Sequence, residues 1–249
     1  MALAGADIAL SPAARAGIEA HARLLLAWTA AINLTAIRTP GAVALEHVAD
    51  SLAALSLLRR LGLPPRAAVL DIGSGGGYPG LPLGLALPAG WLALVDSVGK
   101  KARFLRVAAN AAAAAMTTLG GDPPRIDVVA ERAEALAGSA EHRARWDVVT
   151  ARAVGDLAAL SELSLPLLRP GGWLVAWKRD AGDGALAAEI AAAEASLARL
   201  GGVITAPQRV GVAGLEDHRL IGIRRAAAAP GRTPPHGGGR PRRASGAAC

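Results

Sequence analysis

Cysteine and aromatic side chains are scarce in this chain of 249 residues. The single cysteine, Cys249, excludes an intramolecular disulfide and a metal site built from several cysteines. A chain without disulfides suits a reducing compartment, so we expect a cytoplasmic protein. Five tryptophans, one tyrosine and one phenylalanine are too few for a sheet that stacks several bases, which argues against an RNA-recognition fold of that type.

The sequence also lacks a long uninterrupted apolar run. The longest, Leu81 to Val95, is broken by two prolines and two glycines and is too short to span a bilayer. The N-terminal segment has no basic region before its apolar residues and carries Asp7, so it does not resemble a signal peptide. We therefore expect no association with a membrane.

Acidic residues are missing from the C-terminal stretch, and this explains most of the formal charge of +7. Six arginines lie after position 223, and the rest of the chain balances 21 basic against 20 acidic residues. The prolines and glycines of this stretch predict a disordered basic tail at 226–249. Such a tail either binds RNA without sequence preference or has no role, and composition does not decide between the two.

Segments with strand character alternate with helical segments through the middle of the chain. This alternation predicts an α/β fold, Rossmann-like, with a mainly parallel twisted sheet and helices on both faces. We expect an N-terminal helical cap at 1–63, a Rossmann-like domain at 64–225 and the tail at 226–249. The predicted helices lie at about 12–31, 41–61, 79–87, 99–116, 133–138, 156–168 and 183–200, the predicted strands at 67–72, 91–96, 126–130, 146–151 and 172–178, and a closing antiparallel hairpin at 203–210 and 220–223.

The stretch Val69 to Gly80 carries the most specific functional signal. An apolar run ends in Asp71 and is followed by a glycine-rich turn and a helical segment, which is the order strand, loop, helix. Free N–H groups at a helix start and missing Cβ atoms let a ligand come close. Asp96 ends the next predicted strand, where an acid can bind ribose hydroxyls. The two features together predict a cofactor that contains a nucleoside.

Asp71 separates two kinds of nucleoside cofactor. The spacing of Gly75, Gly77 and Gly80 also fits a dinucleotide fingerprint. A carboxylate two residues before Gly73 would repel a pyrophosphate, whereas S-adenosyl-L-methionine carries a cationic amine and a sulfonium. We therefore predict S-adenosyl-L-methionine rather than NAD. The alternative is that Asp71 only caps the next helix and the glycines only form a turn.

Further candidates follow the ends of the predicted strands, because ligands of such sheets bind beyond the carboxyl ends of the strands. His218, with Glu216 and Asp217 close to it in sequence, is not enough to identify a metal site, so we predict no metal site. The rim candidates, strand by strand, are Asp71, Gly73, Gly75 and Tyr78; Asp96 and Ser97; Ala133 and Glu134; Arg152; and Lys178.

Several motifs beyond the glycine turn belong to one pattern. They are Asn33-Leu34-Thr35, Glu46-His47-Val48-Ala49-Asp50-Ser51, Val95 to Leu105, Arg132-Ala133-Glu134, Ala151-Arg152-Ala153-Val154, Leu168 to Gly172 and Trp177-Lys178. In this order the chain resembles the ribosomal RNA small subunit methyltransferase G family, also called glucose-inhibited division protein B. General methyltransferases share the glycine turn but not the Asn-Leu-Thr and His-x-x-Asp-Ser motifs.

The resemblance implies a class I S-adenosylmethionine-dependent methyltransferase fold. It implies methylation of N7 of one guanine in 16S rRNA, presented as free RNA, as the 30S subunit or as an assembly intermediate. By position it implies cofactor contacts at Gly73, Tyr78, Ala133, Glu134 and Arg152. An oligomer is not expected.

Guanine N7 already offers a lone pair, so a methyl group can be transferred in line without a general base. We predict that Arg152 and Asn33 position the substrate; the alternatives are a surface ion pair for Arg152 and a turn cap for Asn33. His47 and Asp50, three residues apart on a helix, are predicted to pair with each other in a structural or gating role. The predicted RNA contacts, with an ordinary solvated surface as the alternative, are Lys100, Lys101, Arg103, Arg106 and Lys178.

Three other functions stay open at this point. They are a small-molecule methyltransferase with the same cofactor, an NAD-dependent oxidoreductase, and a noncatalytic RNA-binding protein that kept the fold. The Asn-Leu-Thr and His-x-x-Asp-Ser motifs and the basic helix favour an RNA methyltransferase over a small-molecule methyltransferase.

Overall fold

One sheet of eight strands forms the centre of the protein. The computed structural model describes residues 9–226, so the predicted basic tail at 226–249 lies outside the described residues apart from Ala226. The strands are β1 (Ala67–Ile72), β2 (Ala89–Val95), β3 (Arg125–Val129), β4 (Trp146–Arg152), β5 (Leu168–Arg179), β6 (Gly202–Ile204), β7 (Gln208–Arg209) and β8 (His218–Arg225).

The strand order is β3-β2-β1-β4-β5-β8-β6, with β7 also paired to β8. Strands β1 to β5 run parallel, and β8 is antiparallel to β5. This confirms the predicted α/β fold with a mainly parallel sheet. The predicted closing hairpin is present in a modified form, because both β6 and β7 pair antiparallel with β8.

The helices connect the strands and cover both faces of the sheet. In several cases the observed bounds differ from the predicted ones by only a few residues. The helices are α1 (Pro12–Ile32), α2 (Pro40–Ala42), α3 (Asp50–Leu52), α4 (Ala54–Arg60), α5 (Gly80–Ala86), α6 (Gly99–Thr118), α7 (Ala133–Gly138), α8 (Leu157–Ser164) and α9 (Ala185–Leu200).

The first helix starts and ends where its capping residues require. The Ser11 hydroxyl accepts a hydrogen bond from the Ala14 amide at 3.1 Å, and Pro12 occupies the first helical position, where its missing N–H costs nothing. At the other end Asn33 adopts a left-handed conformation, with φ of 50°, and its amide donates to the Thr29 carbonyl. Asn33 thus closes α1 and begins the loop that leads to the site.

The second predicted helix, 41–61, is interrupted by a π-helical segment, Val43–Ala49, between α2 and α3. Such segments are rare and often occur at functional sites. By length and composition Pro40–Arg60 could cross a membrane, but most of it is buried against the rest of the protein. A core helix of a soluble protein meets the same criteria, so this is weak evidence for a membrane span.

Each face of the sheet has its own hydrophobic core. The two N-terminal helical segments share one core with α5, α6 and the residues of the sheet that alternate toward them, such as Val69, Val148 and Val175. The opposite core contains Leu70, Val149 and neighbours from α8 and α9. The period-2 alternation of the strands therefore decides which side chains face the N-terminal helices.

Candidate active site

The glycine turn 73–79 leaves the carboxyl end of β1 and is fastened to β2. The Ser74 amide donates to the Val95 carbonyl at 2.9 Å, and the Ser74 hydroxyl accepts from the Val95 amide at 3.0 Å. The same hydroxyl donates to the Asp71 carbonyl at 2.9 Å. These bonds set the position of the turn relative to two neighbouring strand ends.

Part of the glycine content of this turn serves packing within the protein. At Gly77 the backbone has a φ of +89°, and an added Cβ would lie 2.8 Å from Nε2 of His21 in α1. At Gly80 an added Cβ would lie 2.7 Å from Oδ2 of Asp71. Gly73, Gly75 and Gly76 line a cavity. An added Cβ would lie 2.6 Å from Cγ2 of Val154 at Gly73 and 2.8 Å from Cδ1 of Leu25 at Gly76. Of the three, only Gly75, with its nearest neighbour at 3.8 Å, has the open space that the predicted approach of a ligand needs.

Asp71 does not face that cavity. Its side chain is fully buried, and Oδ1 accepts a hydrogen bond from the Thr150 hydroxyl at 2.7 Å. Oδ2 is packed against Gly80 and has no hydrogen-bond partner within residues 9–226. Burial raises the pKa of Asp71 to about 6. The predicted direct contact of Asp71 with a cationic cofactor is therefore corrected: α5 covers this position, and Asp71 lies beneath the turn.

Asp96 is 7% exposed and supports the turn from the end of β2. Its Oδ2 accepts from the Gly75 amide at 2.9 Å, and its Oδ1 accepts from the Val98 amide at 2.9 Å. Each carboxylate oxygen can still accept another bond, so a ribose contact stays compatible with this position. The neighbouring Ser97 is exposed.

Ala133 and Glu134 open α7 beyond β3. Ala133 is half-buried and Glu134 is exposed, and neither lines the cavity at the glycine turn. Their predicted contact with a cofactor thus stays a prediction. Their place is at the correct rim of the sheet, because α7 follows the carboxyl end of β3.

Arg152, at the end of β4, is the centre of a hydrogen-bond network. Nη1 donates to the Asp50 carboxylate at 2.9 Å and to the Glu46 carbonyl at 2.8 Å, and Nη2 donates to Nδ1 of His47 at 2.9 Å. Asp50 is fully buried, while the Arg152 side chain is 18% exposed. The alternative of a surface ion pair is therefore wrong, because this pair is largely buried.

His47 and Asp50 do not bond to each other, contrary to the prediction. Both bind Arg152 instead, and the second Asp50 oxygen bonds to Nδ1 of His218 at 2.8 Å. Asp50 thus connects the N-terminal helices with β4 and β8.

Tyr78 lies in a stack of three rings beneath the glycine turn. Its ring centroid is 4.4 Å from that of His21 and 4.7 Å from that of His47, and the Arg152 guanidinium carbon is 5.8 Å from the Tyr78 ring. Burial raises the pKa of the Tyr78 hydroxyl. Burial lowers the pKa of His21 to about 4, and burial together with Arg152 lowers that of His47 to about 4. Both imidazoles are therefore neutral at pH 7.

Two adjacent cavities meet at Arg152. The glycine-side cavity, of about 230 Å³, is lined by Gly73, Gly75 and Tyr78 among the predicted cofactor residues, and also by Lys101. The β5-side cavity, of about 460 Å³, lies beside Glu46 and Lys178. His47, Arg152 and Ala153 line both cavities. The network around Arg152 thus forms the boundary between the two cavities.

Asn33 does not line either cavity. It is exposed, closes α1 as a C-cap and accepts a long hydrogen bond of 3.4 Å from Arg38. Asn33 therefore has the capping role that was the alternative to substrate positioning. It caps the end of the preceding helix, however, and not the next turn. Its neighbours Leu34 and Thr35 do line the glycine-side cavity.

The basic residues predicted to contact RNA fall into two groups. Lys100, Arg103 and Arg106 are exposed on the first turns of α6, while Lys101 is half-buried and lines the glycine-side cavity. Lys178 lines the β5-side cavity but is paired with Glu189 at 2.5 Å and with the Gly155 carbonyl at 2.8 Å. Lys178 is therefore not a solvated surface lysine, which was the alternative to an RNA contact.

Sequence reasoning missed Thr150, His21 and the link between Asp50 and His218. Thr150 faces Asp71 because the two are paired in the parallel register of β1 and β4, which no local pattern reveals. His218 was considered only as a possible metal ligand. Within residues 9–226 no three His, Cys, Asp or Glu side chains lie close enough together to hold a metal ion.

Known proteins resemble this chain over most of its length. The family model for GidB, rRNA small subunit methyltransferase G, matches residues 15–204. The chain is 41% identical over 219 residues to a ribosomal RNA small subunit methyltransferase G of Rubrobacter xylanophilus, covering 87% of this chain and 78% of the relative. It is 40% identical over 211 residues to one of Chloroflexus aggregans, covering 84% and 81%.

Among solved structures, an O-methyltransferase from Bacillus cereus in complex with SAH resembles this chain, with a TM-score of 0.54 and 18% identity. The match covers 82% of this chain and 90% of the other chain. This likeness confirms the methyltransferase class of the fold. The family match and the two bacterial relatives go further, because they extend over most of both chains. The chain therefore belongs to the GidB family, rRNA small subunit methyltransferase G.

Proposed function

We propose that this protein transfers the methyl group of S-adenosyl-L-methionine to N7 of one guanine in 16S rRNA. The observation that carries the proposal is the Arg152 network, which lies between the glycine-side cavity and the β5-side cavity. Two ligands that react with each other need such adjacent spaces with a fixed boundary. The family match supports methylation of small-subunit rRNA, and the guanine N7 target goes beyond it.

The residues at the glycine turn fit the proposed cofactor. At Gly75 an added Cβ would have its nearest neighbour 3.8 Å away, so a ligand can approach the backbone there. Lys101 and Arg152 line the same cavity and can pair with the carboxylate of a methionyl group. Asp96 is proposed to bind the ribose, with Ser97, Ala133 and Glu134 as further contacts at the rim. When bound, the cofactor supplies an electrophilic methyl group.

The hydrogen bonds of His47 support transfer without a general base. Its Nδ1 accepts from Arg152, and its Nε2 bonds to the Thr35 hydroxyl at 2.8 Å, so neither nitrogen is free to take a proton. Guanine N7 has no proton to lose before it attacks. The rate enhancement then depends on the alignment of N7 with the methyl group. Such alignment can lower the activation free energy by about 7–11 kcal/mol at most. Arg152 is proposed to position the substrate.

The exposed basic face of α6 supports the proposed RNA partner. Lys100, Arg103 and Arg106 lie on the helix that also carries Lys101 into the glycine-side cavity. Cations in this position can bind the phosphates that flank a nucleotide held in the site. The target guanine must leave its stack to enter, at a cost of a few kcal/mol. We propose that the enzyme acts in the cytoplasm, without an oligomer, on 16S rRNA or the 30S subunit.

The test uses 16S rRNA and 30S subunits from cells that lack this gene. Both are incubated with methyl-labelled S-adenosyl-L-methionine, and 7-methylguanosine is located by chemical cleavage of the RNA at that base. We expect one labelled guanine, and a rate at least about 100-fold lower for Arg152→Met, because alignment is lost. Arg23→Met, which changes an exposed arginine of α1, is the matched control and should retain full activity.

Two outcomes would contradict the proposal. Label in a small metabolite but not in RNA would indicate a small-molecule methyltransferase. Label in RNA at an atom other than guanine N7 would retain the family assignment and overturn the proposed target.

A further inference from the structure

The Thr35 hydroxyl has an unusual set of neighbours. Its oxygen lies 2.8 Å from Nε2 of His47 and 3.1 Å from the amide nitrogen of Ile37. Thr35 is half-buried and lines the glycine-side cavity, while His47 lines both cavities. Thr35 therefore belongs to the glycine-side cavity, and its hydroxyl lies beside a ring that also lines the β5-side cavity.

Arg152 determines the direction of the hydrogen bonds that connect it through His47 to Thr35. A guanidinium group only donates, so Nδ1 of His47 must accept the bond from Nη2 at 2.9 Å. His47 is neutral, and its one proton is therefore on Nε2. Nε2 then donates to the Thr35 oxygen. The amide of Ile37 can only donate, so it occupies the second lone pair of the same oxygen.

A free threonine hydroxyl can donate or accept and does not discriminate between ligands. Here both lone pairs of the oxygen are occupied, so only its hydrogen remains available. We propose that Thr35 is a donor-only specificity residue that donates to O6 of the target guanine and rejects adenine at the same position. This inference rests on the proposed function.

The base edge explains why such a donor discriminates. Guanine presents O6, an acceptor, beside N7, whereas adenine presents the donor N6–H₂ there. An adenine would place a donor against the Thr35 hydroxyl and leave both groups without a partner, which is costly in a partly buried site. Discrimination by hydrogen bonding is stronger than discrimination by shape alone.

A donor at O6 is compatible with the reaction at N7. The N7 lone pair forms the new bond to the methyl carbon while the carbon–sulfur bond breaks and its electron pair stays on sulfur. The positive charge passes from the sulfonium to the purine, and no proton moves. A donor on N7 would occupy the reacting lone pair, whereas a donor on O6 leaves it free. Thr35 thus acts on orientation and base choice.

The experiment measures coupling between the hydroxyl and O6. 16S rRNA is prepared by ligation with 2-aminopurine, which keeps N7 but lacks O6, in place of the target guanine. We expect the wild-type enzyme to lose about tenfold in kcat/KM on this RNA, as for one lost hydrogen bond. Thr35→Val, which has no hydroxyl, should be slower on guanine but should lose less than twofold on the change to 2-aminopurine.

Three controls make the result specific. Thr35→Ser keeps the hydroxyl and should retain the tenfold preference for guanine. Thr118→Val removes an exposed hydroxyl near the end of α6 and should behave as wild type. If Thr35→Val turns over too slowly to measure, the affinities of both RNAs in the presence of S-adenosylhomocysteine give the same coupling.

The inference and the proposed function fail in different ways. Equal losses on 2-aminopurine for wild type and Thr35→Val would overturn the role of Thr35 while leaving guanine methylation intact. A Thr35→Val enzyme with weakened S-adenosyl-L-methionine affinity and an unchanged guanine preference would assign the hydroxyl to the cofactor instead. Absence of 7-methylguanosine with the wild-type enzyme would contradict the proposed function itself.

Discussion

Asp50→Asn removes a buried negative charge that binds both Arg152 and His218. The Asp50 oxygens accept at 2.9 Å from Arg152 and at 2.8 Å from His218, and the carboxylate is fully buried. Removing one partner of a buried ion pair leaves the other charge without compensation, which costs about 3–5 kcal/mol. We expect a loss of that size in the free energy of unfolding, measured by urea denaturation.

The double variant Asp50→Asn with Arg152→Met isolates the pair. When both charges are absent, no uncompensated charge stays buried. The free energy of unfolding of the double variant should therefore fall by about 1–3 kcal/mol less than the sum of the two single losses. Glu19→Gln is the control, because its pair with Arg23 spans 3.6 Å and the two side chains are 52% and 82% exposed. It should cost less than about 0.5 kcal/mol.

A loss below about 1 kcal/mol for Asp50→Asn, or strictly additive single losses, would refute this reasoning. Either result would mean that the Asp50–Arg152 contact does not hold the N-terminal helices on the sheet.

Three further predictions concern the turn and α1. Asp96→Ala should weaken S-adenosyl-L-methionine binding by about 1–3 kcal/mol in isothermal titration, and an unchanged affinity would exclude Asp96 from the cofactor site. Gly77→Ala should cost at least about 2 kcal/mol of stability, because its Cβ would lie 2.8 Å from His21 at a φ of +89°, whereas Gly99→Ala has open space and should cost nothing. Burial lowers the pKa of His21 to about 4, so the stability that its neutral form contributes is complete above pH 6.5 and is lost as the pH falls toward 4. Compared with His21→Gln at each pH, wild type should lose up to about 3 kcal/mol over that range, and parallel pH profiles would contradict this.

The sequence predicted best what local pattern determines. The order of apolar run, Asp71, glycines and helix led to β1, the turn and α5, because strand burial and backbone conformation are properties of neighbouring residues. The same holds for α1, whose start at Ser11 and Pro12 follows from capping. The rim rule also brought Gly73, Tyr78 and Arg152 together at one cavity.

The sequence did not reveal which partner each polar side chain finds. Asp71 was expected to face a ligand, but residue alternation turns it toward α5, and its partner Thr150 comes from β4 through the register of the sheet. His218 reaches Asp50 across 168 positions of the chain. Such contacts depend on strand register and on packing. No short-range periodicity in the sequence reveals either of them.

The direction of the hydrogen bonds around Arg152 connects the structure with the proposed chemistry. Arg152 only donates, so it fixes the tautomer of His47, and His47 in turn fixes the role of Thr35. Asp50 accepts a hydrogen bond from Arg152, so in this proposal a fully buried carboxylate on the N-terminal helices helps to orient the Thr35 donor. In this proposal the site selects its substrate through the positions of its hydrogen-bond donors. It therefore suits a reaction at guanine N7, where the nucleophile needs alignment and no proton transfer.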